Sequence, residues 1–212
     1  MASPERVVWG IGTGRTIRAH WALIELDLEY RIEVVRTRTP DMDTPEFVAT
    51  NPRRKIPVLV DGDVCIAESS AIVTYLAERY SDPESPLIPA DIAERAKYFE
   101  WLSFVCMELD ATSLYVLRRH DDLTHIYGEA PQAVHAAQEY LRRMLGAATE
   151  IFDSSTPYVL GNTFSGADIL FATVLDWTER YNQPIPKAFD EYRVRIQNRP
   201  AYQRAMAINY PS

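Results

Sequence analysis

Residues Lys55–Tyr80 read KIPVLVDGDVCIAESSAIVTYLAERY, and this stretch decides the fold. Val58-Leu59-Val60 and Val64-Cys65-Ile66 are short apolar runs separated by Asp61-Gly62-Asp63. An Asp-Gly pair between two such runs is a strong β-hairpin signal, because glycine supplies the positive φ that a tight turn needs. After Ala67 the spacing changes. Ala71, Ile72, Tyr75, Leu76 and Tyr80 fall on a helical period, so a helix leaves the second strand at about Glu68-Ser69. Ser69 then stands where unpaired helix N–H groups and the positive dipole end point outward, which suits a carboxylate. Ile56-Pro57 opens the first strand, and X-Pro is the one bond type in which a cis peptide costs little.

Upstream of this stretch, Arg6–Gly10 (RVVWG) reads as a short apolar strand. Gly10, Gly12 and Gly14 follow in close order, but a dinucleotide-binding fingerprint needs its third glycine at position 15, where Arg15 stands. That reading is excluded. Ile17, Trp21, Ile24 and Leu28 have helical spacing, and Tyr30–Val35 alternates as a second strand. Thr37–Pro52 contains Pro40, Pro45 and Pro52 and has room for one short helix around Glu46–Ala49. The resulting order, β-α-β-α-β-β-α, is that of an α/β thioredoxin-like domain over residues 1–80.

Downstream, Ser81–Pro89 (SDPESPLIP) carries three prolines in nine residues, which leaves no room for a helix or a central strand. It reads as a linker over 81–89. Residues 90–212 show helical periods and no strand-like alternation, so the expectation is an all-α C-terminal domain. Ile92, Ala96, Phe99, Leu102, Cys106 and Leu109 mark a long helix reaching to about Arg119, on which Trp101 is expected to be exposed. Pro131–Phe152 and Ser165–Tyr181 are further helices, and two shorter ones flank Arg199-Pro200. Ser165 and Asp168 form a capping box, with Phe164 and Ile169 at the two positions of a hydrophobic staple. Ile169–Leu175 is apolar on nearly all faces, which places this helix at the centre of its domain.

The chain has 212 residues, 47% hydrophobic and 25% charged, as in a soluble globular protein with one large or two small cores. No run approaches the ~20 apolar residues of a membrane span. Met1–Arg6 is expected to run straight into the first strand without a basic and apolar leader. A formal charge of −8 disfavours nucleic acid or an anionic membrane as partner. Cys65 and Cys106 have neither metal-ligand nor redox spacing, and His20, His125 and His135 have no companions at metal-ligand spacing. The histidines read as surface or packing residues, no metal is expected, and a cytoplasmic location fits this usage.

Lys55, Ile56, Pro57, Glu68 and Ser69, together with the later capping box and staple, resemble the glutathione S-transferase superfamily. The resemblance covers the whole first half, including the Asn51-Pro52 turn, and extends to the central helix of the second. It implies that a cis Pro57 lets the backbone of Ile56 pair with the cysteinyl unit of glutathione. It further implies that Ser69 and the helix N-terminus hold the γ-glutamyl carboxylate, Glu68 the adjacent ammonium and Lys55 the glycyl carboxylate. Glutathione would be a co-substrate, the second domain would lend an apolar wall to a site for an electrophile, and the protein would be a homodimer.

In this family, catalysis consists of stabilising a thiolate, since a thiol with pKa ~8.5 is mostly protonated at neutral pH. The resemblance implies a donor at the end of strand one or just after it, a Tyr, a Ser or in some classes a Cys. Here the position of the phenol in the tyrosine classes corresponds to Trp9, and the following loop offers only Thr13, Thr16 and Arg15. Thr13 lies just beyond the strand end and is the expected donor, Thr16 a helix cap, and Arg15 a cation within reach of sulfur or carboxylate. Trp9 and Ile11, with Met107, Tyr115 and Arg119 of the second domain, are candidates for the electrophile site. Tyr115 and Arg119 stand four apart on one helix face, where packing is a competing role. The expected activity is conjugation of glutathione to a small apolar electrophile. The alternatives are glutathione-dependent isomerisation, dehalogenation or peroxide reduction, and a binding module without turnover.

Overall fold

Val7 and Val8 occupy the middle of strand β1 (Arg6–Trp9) and are buried, which makes β1 an inner strand of a four-stranded sheet. The coordinates are a computed structural model that describes residues 6–211. The expected run-in from Met1 to the strand therefore lies mostly outside the described residues. Helix α1 (Thr16–Glu25) leads to strand β2 (Arg31–Glu33), which pairs parallel to β1 with Val8 opposite Ile32. The turn-rich segment holds a short 3₁₀ turn and helix α2 (Pro45–Thr50), whose N–H at Phe47 is capped by the Thr44 hydroxyl. Strands β3 (Val58–Asp61) and β4 (Val64–Ala67) form the expected hairpin, and Gly62 takes a φ of +59° at its turn. The sheet order is β2-β1-β3-β4, with β1 and β3 antiparallel. Helix α3 (Ser69–Tyr80) follows at once. The mixed sheet and its helices have the order that the sequence predicts.

A glycine is required at the end of β1. Gly10 has a φ of +113°, and a Cβ there would stand 2.5 Å from the Ile56 Cβ. The strand end and the residue before Pro57 thus approach closely only because position 10 has no side chain. Ile56 in turn packs with Val35, Phe47 and Val58, and Trp9 covers this cluster with its ring 5.8 Å from that of Phe47.

The chain divides into two compact units: residues up to Ile88 together with those from Gln197 onward, and Pro89–Ile196. The second unit contains helix α4 (Ile92–Phe104), begun by Asp91, whose carboxylate accepts the N–H groups of Ala93 and Glu94. Its turns widen to π-helical geometry over Val105–Leu114, return to α over Tyr115–Leu117 (α5) and widen again over Arg118–Asp122. The single regular helix expected to about Arg119 is therefore a helical run with two wide segments. Helices α6 (Thr124–Tyr127), α7 (Pro131–Ile151), α8 (Gly166–Arg180) and α9 (Asp190–Gln197) complete the order. Helix α8 is central, buried from Gly166 to Leu175, as its all-round apolarity predicts.

Asp168 closes the expected capping box on Ser165 and accepts further hydrogen bonds from the Val159 N–H at 2.9 Å and the Tyr192 hydroxyl at 3.2 Å. Burial pushes its carboxyl up to about 6 despite those donors. Trp101 departs from expectation. It is only 5% exposed because its ring packs 5.1 Å from Phe171 of α8, so the outward apolar groups of this helical run are Ile92, Phe99 and Met107 instead.

The expected helical domain over 90–212 also ends differently. Helix α10 (Pro200–Asn209) belongs with the first unit, packed along α1. The physical ties are a two-pronged ion pair from Arg199 to Glu25, at 2.8 and 2.7 Å, and the edge-on rings of Trp21 and Tyr202 at 5.1 Å. Among the described residues no helix is long and apolar enough to cross a membrane.

Candidate glutathione site

Three loops of the first unit carry the candidate residues: the Gly10–Arg15 loop after β1, the Asn51–Pro57 turn before β3, and the β4–α3 junction. At the junction, Glu68 adopts a φ of +72°, a conformation that side chains rarely take, and Ser69 opens α3. Ser69 is buried, and its hydroxyl oxygen accepts a hydrogen bond from the Arg18 guanidinium at 3.1 Å. With that lone pair occupied, the Ser69 proton is left to donate to a ligand. Arg18 is itself 1% exposed, so a positive charge lies directly beneath the start of α3. The Glu68 carboxylate is exposed and pairs with Arg53 at 3.3 Å, a solvated contact that costs little to rearrange.

The Ile56–Pro57 peptide is cis, as the family resemblance implies. Asn51 organises the turn ahead of it: its side-chain N–H reaches the Lys55 carbonyl at 2.8 Å and its oxygen accepts the Arg53 N–H at 3.2 Å. The Lys55 side chain is thus carried on a braced turn and remains exposed.

In the first loop, Thr13 is 6% exposed and Thr16 fully buried. The Thr13 hydroxyl accepts the N–H groups of Arg15 (3.3 Å) and Thr16 (3.0 Å), so it does the capping that the sequence assigns to Thr16. The Thr16 hydroxyl instead has two pure acceptors in reach, the Thr13 carbonyl at 2.9 Å and the Asn209 side-chain oxygen at 2.6 Å. A threonine has one proton to give. Once the Thr16 proton goes to either acceptor, the 3.1 Å contact between the two hydroxyls can only run from Thr13 to Thr16. The Thr13 proton can therefore turn toward Thr16 or toward a ligand, and the two N–H groups on its oxygen make it a stronger donor. Arg15, at the start of α1, is half-buried.

Behind this loop lies His20, fully buried, with one ring nitrogen 3.0 Å from the Gly10 carbonyl and the other 3.1 Å from the Tyr30 hydroxyl. The carbonyl can only accept, so Nε2 carries the proton and Nδ1 accepts from Tyr30. Burial holds the imidazole below its ordinary value of 6.5, and burial pushes the Tyr30 phenol up to about 12. His20 is a neutral brace for the strand end, a packing role consistent with the sequence reading.

The electrophile candidates divide between the units. In the first, Ile11 is buried and ties its N–H to the Val35 carbonyl, whereas Trp9 is half-buried. In the second, Met107 is exposed on the first π-helical segment, and the Arg119 guanidinium lies 5.0 Å above the Tyr115 ring and 5.1 Å from that of Tyr127. Tyr115 and Arg119 do share a face.

Sequence reasoning missed Arg18 and Asn209. A signal existed for the first: Arg18 and His20 interrupt a run, Ile17–Ile24, that is otherwise apolar and buried throughout, and a charge in such a run must have a partner. For Asn209, 196 residues beyond Thr13, the sequence carries no such signal.

Comparisons with known proteins bear on the family of the chain. The family model for the glutathione S-transferase N-terminal domain matches residues 15–79, and that for the C-terminal domain matches residues 103–200. A glutathione S-transferase of Drosophila melanogaster is 32% identical over 168 residues, which span 76% of this chain and 69% of that protein. Elongation factor 1-gamma of Prunus avium is 35% identical over 130 residues, 60% of this chain but 29% of that protein. Among solved structures, a theta class glutathione S-transferase from Xanthomonas axonopodis pv. citri with glutathione bound superposes with a TM-score of 0.77 at 26% identity, over 95% of this chain and 97% of that one. With both domain models matched in chain order and a relative of this similarity across most of its length, the chain belongs to the glutathione S-transferase superfamily.

Proposed function

We propose that this protein is a glutathione transferase that binds glutathione along Lys55, Ile56, Pro57, Glu68 and Ser69 and stabilises its thiolate with the Thr13 hydroxyl. The observation that carries the reading is the Ser69 hydroxyl, backed by the buried Arg18 guanidinium at 3.1 Å and standing at the N-terminus of a twelve-residue helix. Hydroxyl proton, helix N–H groups and guanidinium charge all favour a carboxylate at one point. Lys55 supplies a second cation for the glycyl carboxylate, and the exposed Glu68 a partner for the ammonium. In the reaction the thiolate sulfur forms a bond to an electrophilic carbon of an apolar substrate, and the leaving group departs with its electron pair. Thr13 holds the thiolate before attack, and Arg15 adds charge near it. The family resemblance carries with this reading a cytoplasmic homodimer engaged in detoxification.

The same bound thiolate would serve glutathione-dependent isomerisation, dehalogenation or peroxide reduction. A binding module without turnover is favoured by Trp9 at the position of the tyrosine classes' phenol, and by the similarity to elongation factor 1-gamma. Retention on immobilised glutathione, followed by turnover of a chloronitrobenzene electrophile, separates the readings. Retention with turnover supports the transferase, retention without turnover the binding module, and no retention overturns both.

A further inference from the structure

The residue that holds the candidate thiolate loop in place comes from the far end of the chain. Asn209, in the last turn of α10, is fully buried. Its side-chain oxygen accepts the Gly12 N–H at 3.1 Å and the Thr16 hydroxyl at 2.6 Å, and its side-chain N–H donates to the Thr13 carbonyl at 3.0 Å. Its own main-chain carbonyl shares the Gly12 N–H at 2.9 Å. These hydrogen bonds all fall on the loop Gly12–Thr16. We propose that Asn209 is a positioning residue for catalysis, which sets both the path of the Gly12–Thr16 loop and the direction in which the Thr13 hydroxyl donates. This inference rests on the reading of Thr13 as the thiolate donor.

Two physical arguments support it. The loop contains glycines at 12 and 14, and Gly12 sits at a φ of +84° with nothing within 4 Å of where a Cβ would be. Local sterics therefore do not hold Gly12, whose N–H is tied to Asn209 by long-range hydrogen bonds. The second argument concerns the protons. The Asn209 oxygen at 2.6 Å adds to the Thr13 carbonyl at 2.9 Å a second and shorter acceptor for the Thr16 proton, which is thereby kept off the Thr13 hydroxyl, so Thr13 remains a donor. A thiolate then competes well for the Thr13 proton, because a hydrogen bond to an anion is about twice as strong as a neutral one. Helix α10 is rigid enough for this task. Its opposite end is fixed by the Arg199–Glu25 ion pair at the far end of α1, so the two helices are pinned at both ends.

The test is the ultraviolet thiolate absorbance of bound glutathione against pH, measured for the wild type, Thr13→Ala, Asn209→Ala and Asn209→Leu. Asn209→Leu keeps the volume of the buried side chain and deletes its hydrogen bonds to Gly12, Thr13 and Thr16, so it decides the matter even where the cavity left by Asn209→Ala prevents folding. A purely structural role would lower the melting temperature but leave the bound thiol titrating where it did. The proposal expects Asn209→Ala and Asn209→Leu to raise the thiol pKa in the direction of Thr13→Ala, toward the ordinary value of ~8.5, with glutathione affinity changed by less than about threefold. A rise in Thr13→Ala alone overturns the role of Asn209 and leaves the proposed function standing. A wild-type thiol that titrates at the free value overturns both.

Discussion

Arg18 and Ser69 are joined by a 3.1 Å hydrogen bond from a buried guanidinium to a buried hydroxyl, which links α1 to the first turn of α3. Burying a cation is costly unless it is paired, and here the pairing leaves its charge directed at the helix start where the γ-glutamyl carboxylate is proposed to bind. Ser69→Ala is expected to weaken glutathione binding by roughly 1.5–3 kcal/mol, the range for a hydrogen bond to a charged group. Titration calorimetry measures this directly. Unchanged affinity would mean that the carboxylate binds elsewhere.

Thr13→Ala is expected to lower turnover roughly tenfold or more, as when a preorganised donor to a reacting anion is removed. Its KM for glutathione should change little, because the interaction belongs to the reactive state. Arg15→Ala should also weaken glutathione affinity. Steady-state kinetics with a chloronitrobenzene electrophile distinguishes the two patterns. If both variants alter only KM, Thr13 is a binding residue and not the thiolate donor.

Gly10→Ala should destabilise the first unit by about 2–5 kcal/mol, combining a disfavoured positive φ with overpacking. The cause is the 2.5 Å approach that its methyl would make to Ile56. The measurement is the midpoint of denaturant unfolding. A wild-type midpoint would show that the strand end and the Pro57 turn can separate freely.

His20 makes stability depend on pH. Its folded-state pKa lies below the ordinary value of 6.5 because burial penalises the imidazolium. The unfolded chain therefore takes up a proton first as pH falls. The contribution of His20 to stability is complete above about pH 6.5 and is lost as pH drops below it toward the folded-state pKa. The stability difference between wild type and His20→Asn should accordingly shrink on acidification from about pH 7 to about pH 5. A difference that is flat across this window would show that the imidazole is not held neutral.

Light scattering at micromolar concentration is expected to give twice the chain mass, as the proposed homodimer requires. Since Trp101 is buried in its own unit, Phe99 and Met107 are the outward apolar groups of this helical run to substitute with charge. A strictly monomeric wild type would argue against the homodimer.

Local features were legible in the sequence because their causes are local. The hairpin follows from Asp61-Gly62 between two apolar runs, the start of α3 from a change of period after Ala67, and the α8 cap from Ser165 and Asp168 three residues apart. Each depends on hydrogen bonds or periods that span only a few positions, so spacing alone specifies them. The family likeness rests on such features. The expectation of an exposed Trp101 failed for the opposite reason. Its burial depends on Phe171, seventy residues away, and helical periodicity does not record which face another helix will cover.

The remaining features were decided by tertiary packing. Arg18 meets Ser69 across 51 residues, and Asn209 meets Gly12 across 197, with no motif, period or spacing to announce either pair. The division of labour between Thr13 and Thr16 is decided in the same way. The loop offers two hydroxyls and, in the Thr13 carbonyl, one acceptor for the Thr16 proton; the oxygen of Asn209, carried in by α10, adds a second and shorter one, and Thr13 is left to donate. A hydrogen-bond donor is defined by where its proton can go. That depends on acceptors the chain supplies only after its two ends have come together.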